Sequence, residues 1–138
     1  MFKYSLVGYD GSASSQEAFK LAIELAQACH GRVRVVSALQ VTGAGADTCT
    51  LLMADSGAKR ATELLAELKT IVPYPDHMVD LEVVPGSPGD VLLNQVKQQG
   101  IDHIVIGHTE RGTLARWLLG SVSDEVLARA HVPVTVVR

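Results

Sequence analysis

Ile104-Val105-Ile106-Gly107, followed by His108-Thr109-Glu110-Arg111-Gly112-Thr113-Leu114-Ala115-Arg116-Trp117-Leu118-Leu119-Gly120-Ser121, is the stretch on which the reading of the fold turns. The apolar run reads as a buried strand, and Ser121 opens a helix. Strand-to-helix connections in alternating domains usually take about 2–6 residues, and this one takes roughly twice as many. It holds glycines at 107, 112 and 120, two arginines and Trp117. Loops of that length in compact domains are seldom without purpose. Backbone N–H groups at Gly120, Ser121 and Val122 would point out of the helix N-terminus, where the dipole favours an anion such as a phosphate. Ser121 also suits a plain N-cap, with Asp124 three residues on. Capping alone would not need the long glycine-bearing loop.

Upstream, strands and helices alternate. Tyr4-Ser5-Leu6-Val7-Gly8-Tyr9 reads as a short buried strand ending at the turn signal Asp10-Gly11. Ser14 with Glu17 forms a capping-box pattern for a first helix that runs to Cys29, with Phe19, Ala22, Ile23 and Ala26 on its apolar face. Gly31 suits the left-handed C-cap. Val33 to Leu39 is the second strand, and residues 40–50, rich in Gly, Ala and Thr, read as a mobile loop. A second helix follows that loop, its pattern clearest from Ala58 to about Ile71, with Ala61, Leu64, Leu65 and Leu68 facing inward, before Pro73 and Pro75 break it. Leu81 to Val84 is a third strand. Ser87-Pro88-Gly89-Asp90 then starts a helix that ends at Gln99-Gly100. Ile101 to Ile106, a helix from Val122 to Ala130, and a strand from Val132 to Val137 complete the pattern.

Such alternation implies a parallel sheet with helices on both faces. Right-handed crossovers and one reversal give a doubly wound α/β fold, a five-stranded sheet in the order 3-2-1-4-5. Ligands in these sheets bind at the carboxyl ends of the strands where the winding reverses, here between strands one and four. Asp10 ends the first of these and Gly107 the second, so the two places with loop chemistry meet at one crevice.

The 138 residues fit a single domain spanning 1–138, and 47% hydrophobic with 20% charged residues is the balance of a soluble globular chain. A net charge of −3 lacks the basic surplus of a nucleic-acid binder. No run approaches the ~20 apolar residues of a membrane span, and no signal-peptide pattern opens the chain, so a cytoplasmic location is expected. Cys29 and Cys49 match no metal or redox spacing, and no two histidines stand four apart, so no protein-built metal site is assigned. Asp10 invites comparison with a phosphoacceptor, but such a site needs a neighbouring acid cluster and a lysine after the fifth strand. It can equally turn the chain into the first helix through an Asx-turn. Trp117-Leu118-Leu119 reads as a hydrophobic plug for the loop, with a partner-binding patch as the other reading. No Walker-type sequence occurs and no nucleophile–base–orienter set assembles, so no catalytic residue is assigned and any ATP hydrolysis is expected to be slow.

Over its whole length the sequence resembles the universal stress protein family. The resemblance rests on the strand–Asp10-Gly11-Ser12–helix opening, the Gly86-Ser87-Pro88 turn, and the ending Gly120-Ser121-Val122-Ser123 … Ala130-His131-Val132-Pro133-Val134-Thr135-Val136-Val137. Nucleotide-binding members carry G-x2-G-x9-G-[S/T] after strand four. Gly107, Gly120 and Ser121 match that register, and Glu110 stands at the second glycine's position. The resemblance implies an adenine nucleotide alpha hydrolase-like fold and a stress-response regulator that binds ATP (or AMP or ADP) with Mg2+ at the switch point. It implies Asp10 near the nucleotide and the Ala38 backbone at the adenine edge. Gly107 and Thr109 would line the ribose and phosphate path, and Gly120, Ser121, Val122 and Ser123 would hold the terminal phosphates. Arg111 has no counterpart in the motif and is added on charge alone. The Glu110 carboxylate would repel phosphate unless it faces solvent, magnesium, Arg111 or Arg116. The alternative is a member without nucleotide that acts through dimerisation and protein–protein contacts. A homodimer through Val132 to Val137 is expected, because that valine-rich strand forms a sheet edge with little to discourage pairing.

Overall fold

The computed structural model describes residues 2–39, 46–107 and 126–137, with the side chains of residues 39 and 46–58 excepted. Its elements are β1 (Tyr4–Gly8), α1 (Ala13–Cys29), β2 (Arg32–Leu39), α2 (Ala46–Ile71), a single 3-10 turn (Asp76–Met78), β3 (Val79–Pro85), α3 (Pro88–Gln99), β4 (His103–Gly107) and β5 (Val134–Val137). Residues 126–129 are also helical. The strands form one sheet in the order β3-β2-β1-β4-β5, and every pairing is parallel. That is the expected 3-2-1-4-5 winding, reversing between β1 and β4. Among the described residues no helix is long and apolar enough to cross a membrane.

The central strands β1 and β4 bury both of their faces up to their terminal glycines, whereas β3 and β5 at the sheet edges are largely part-exposed. Val7, Val33, Val35, Val79 and Val105 pack with Phe19, Ala22 and Ile23 of α1 and Leu64 and Leu68 of α2. Leu6, Val36, Ile104 and Ile106 point the other way, onto Val91 and Leu92 of α3 and Val126. Among the described residues, α1 and α2 therefore cover one face, and α3 with the helical residues 126–129 lies on the other.

Local details depart from the expectations in instructive ways. The N-cap of α1 is Ser12, not Ser14: its hydroxyl accepts the Ser15 N–H at 3.2 Å. Glu17 pairs with Lys20 at 3.1 Å and closes no capping box. At the far end the left-handed residue is His30 (φ 56°), not Gly31. Gly31 is required for another reason, because a Cβ there would stand 2.6 and 2.7 Å from the carbonyl oxygens of Phe2 and Lys3. Helix α2 begins at Ala46, so residues 46–50 are helical and not loop. Leu51, Leu52, Met53 and Ala54 are good helix formers, but Asp47, Thr48, Cys49 and Thr50 are weak ones, so propensity does not account for the early start. Leu65 lies off the buried stripe and is 37% exposed, while Leu64 and Leu68 are buried. Strand β3 is longer than Leu81–Val84, since it pairs along β2 from Val33↔Val79 to Leu39↔Pro85. Strand β4 starts at His103 and not Ile101. Asp102 before it is spent on an anchor, its carboxylate accepting the backbone N–H of Lys3 at 2.9 Å and of Tyr4 at 3.1 Å. Strand β5 starts at Val134, because Pro133 has no N–H and offers only its carbonyl, to Ile104 N at 2.9 Å. Ser87 precedes α3 with Pro88 at its first position, yet its hydroxyl donates to Asp90 at 3.0 Å and caps no backbone N–H.

Candidate functional site

A pocket opens at the carboxyl ends of β1 and β4, where the winding reverses. Three of the residues expected at a ligand, Asp10, Ala38 and Gly107, line it together. Thr109, Arg111, Gly120, Ser121, Val122 and Ser123 lie outside the described residues, as do Glu110 and Trp117.

Two glycines shape the pocket by what they lack. At Gly8, at the end of β1, a Cβ would meet the Leu92 methyls at 3.2 and 3.3 Å. Its absence lets α3 close over the strand ends. At Gly107 a Cβ would lie 2.5 Å from Ser14 C, 2.6 Å from Ser14 O and 2.7 Å from Ser15 N. These are backbone atoms of the first turn of α1, which cannot step aside as a side chain can. Gly107 is thus the position that seats the α1 N-terminus against the end of β4. Ser12 and Ser15 from that turn reach the pocket wall, with the positive end of the helix dipole beside them.

Asp10 stays exposed, and one of its carboxylate oxygens accepts the Ser12 N–H at 2.9 Å. This is the Asx-turn that steers β1 into α1. The same residue therefore shapes the turn and brings a carboxylate to the pocket. The opposite wall is apolar: Val36 and Ala38 from β2, and Pro88, Val91 and Leu92 from α3. Sequence reading placed no residue of α3 at the site. The signal was available in Gly86-Ser87-Pro88, which starts that helix beside the strand ends.

Tyr9 was also missed. It is buried at the end of β1, its N–H donates to Val36 O at 3.0 Å, and its hydroxyl donates to Glu67 Oε1 of α2 at 2.9 Å. Burial first, and then the Glu67 hydrogen bond, push its phenol up to about 12. It remains a protonated donor throughout the neutral range and ties the pocket floor to α2. Its clue in the sequence was a polar-tipped aromatic directly before the turn aspartate. Arg129 Nη1 lies 3.0 Å from Asp90 Oδ1, joining the helical residues 126–129 to the start of α3.

The cleft sets an apolar wall from β2 and α3 against a polar side formed by the Asp10 carboxylate and the N-terminus of α1. Among the described residues no group of His, Cys, Asp and Glu is placed to hold a metal ion.

The profile of the universal stress protein family matches residues 1–138. A universal stress protein of Thermus aquaticus is 31% identical over 139 residues, covering 100% of both chains. One of Mycobacterium tuberculosis is 30% identical, covering 99% of this chain and 96% of its own. Among solved structures, a universal stress protein of Lactobacillus plantarum superposes with a TM-score of 0.79 at 22% identity, over 99% of this chain and 98% of that one. A universal stress protein in complex with cAMP superposes with a TM-score of 0.67 at 26% identity, over 99% and 96%. An Arabidopsis thaliana member with AMP bound does so at 0.62 and 17% identity, over 98% and 90%. These likenesses agree with the sheet order in assigning the adenine nucleotide alpha hydrolase-like fold. The chain belongs to the universal stress protein family.

Proposed function

We propose that this protein is a cytoplasmic stress-response regulator that takes an adenine nucleotide, ATP with Mg2+ or its AMP or ADP counterpart, into the pocket between β1 and β4. The observation that supports this most is the convergence of Asp10, Ala38 and Gly107 on one half-apolar cleft at the switch point. The family member in complex with cAMP, 26% identical, supports the same ligand class. In this reading the base lies between the apolar β2 and α3 side chains, against the Ala38 backbone, and Asp10 meets the sugar. The phosphates run past Gly107 and Thr109 towards Gly120, Ser121, Val122 and Ser123, with Arg111 as counter-charge. The protein then assembles as a homodimer through its C-terminal edge strand, and its partner affinity follows nucleotide occupancy.

Ligand that binds only the native state raises the melting point by mass action. Heating the purified chain with and without millimolar Mg-ATP, beside calorimetry, therefore tests the proposal. A rise of several degrees with measurable heat is expected; no shift and no heat would overturn it. The second reading, a member that acts through protein–protein contacts without nucleotide, draws on Glu110 at the motif's second glycine position. It predicts the flat result.

A further inference from the structure

His103 belongs to neither wall of the pocket. It opens β4 at the opposite end of the sheet and is only 1% exposed. Its Nδ1 lies 3.1 Å from Ser5 Oγ on β1, and its Nε2 lies 2.8 Å from Thr135 Oγ1 on β5. One imidazole thus joins the central strand of the sheet to an edge strand. Phe2 lies against the ring, with centroids 4.2 Å apart, from a backbone held at φ 62° that L side chains rarely adopt.

A neutral imidazole serves both hydroxyls, one ring nitrogen donating and the other accepting. The imidazolium has no acceptor nitrogen. On protonation both hydroxyls must turn their oxygens to the ring, and a cation then sits in a site cut off from water. Asp102, directly before His103, favours the cation, although its carboxylate is already held by the Lys3 and Tyr4 amides. The Lys3 ammonium donates to Cys29 O at 3.0 Å. The buried face of α1 (Ala18, Phe19, Ala22, Ile23, Ala26) and the strand Val134–Val137 bring no titratable group, and His131 before β5 is exposed. Burial outweighs Asp102 and holds the imidazole below its ordinary value.

Relief comes when the ring meets water, and the cheapest way to expose it is set by topology. Strand β1 is flanked by β2 and β4, whereas the four-residue β5 pairs with β4 alone and is partly exposed at every residue. We propose that Ser5–His103–Thr135 is a proton-operated catch on the C-terminal edge strand: protonating His103 releases β5 from β4, so whatever pairs with that edge inherits a response to acid.

Amide hydrogen exchange of the full chain, read by NMR from about pH 7.5 to 5 and corrected for intrinsic rates, tests this. Below the ordinary imidazole value of about 6.5, protection in β5 should fall by up to about tenfold per pH unit, the slope of one linked proton. The β1–β2 amides should hold steady. His103→Gln, which offers the hydroxyls a neutral partner, should flatten the response, and His131→Gln should leave it intact. If His103→Gln does not fold, the wild-type profile still decides. Protection in β5 that ignores pH overturns the catch, and so does loosening confined to residues 2–4 or a response that follows His131.

Discussion

At Gly107 the end of β4 was legible in the sequence, and the contact that requires a glycine there was not. Its position in the glycine pattern suggested a ligand path, and it does line the pocket. Its tightest constraint, though, is the α1 backbone 2.5 Å from where a Cβ would stand. No sequence pattern discloses that contact, because it joins atoms more than ninety residues apart. Gly107→Ala should therefore destabilise the fold by about 1–3 kcal/mol, the usual range for overpacking. It should also weaken nucleotide binding by moving the Ser12–Ser15 turn. Urea denaturation reads the first effect and calorimetry the second; a variant as stable as the parent would contradict the assignment. The turn at Asp10 was legible, since an aspartate before glycine at a strand end announces it from chemistry alone.

At the scale of the element, periodicity carried most of the information and end chemistry carried less. The apolar stripe of α1 predicted the burial of Phe19, Ala22, Ile23 and Ala26, because burial enforces the 3.6-residue repeat, and it left out Ser15 and Ala18 of the same face. Its cap was misplaced because Ser12, Ser14 and Glu17 all offer capping chemistry, and only the Asp10 turn decides among them. Ser12→Ala should cost about 0.5–2 kcal/mol, as loss of a working N-cap does. Ser14→Ala should change the urea midpoint little. Equal losses at both positions, or a larger one at Ser14, would show that the cap is shared. Helix α2 was half hidden for the opposite reason. The glycines at 43 and 45 and the weak helix formers Asp47, Thr48, Cys49 and Thr50 gave residues 46–50 no helical signal of their own.

For the whole molecule, strand order was legible because few topologies satisfy alternating elements, right-handed crossovers and one reversal. The site was legible only where strand ends fix it; the contributions of α3 and Tyr9 depend on how helices settle, which local patterning does not encode. Assembly belongs to this scale. Strand β5 lies at a sheet edge with Val134, Thr135, Val136 and Val137 partly exposed, and no lysine guards it. Pro133 shortens that edge to four residues, so pairing across a twofold axis would centre on Thr135 and Val136. Light scattering should give a dimeric mass for the parent chain and a monomeric one for the double variant Val134→Lys, Val136→Lys. A monomeric parent, or a dimer indifferent to both lysines, would refute the arrangement. The sheet order also bears on how the chain is born. Of the five strands, the first to be synthesised is the middle of the finished sheet, and its second neighbour arrives only with residues 103–107. Until the ribosome has delivered them, β1 can pair with β2 alone, and the nascent chain carries an open edge through the heart of its future core. The carboxylate of Asp102, reaching back to residues 3 and 4, fastens that seam at the moment it closes.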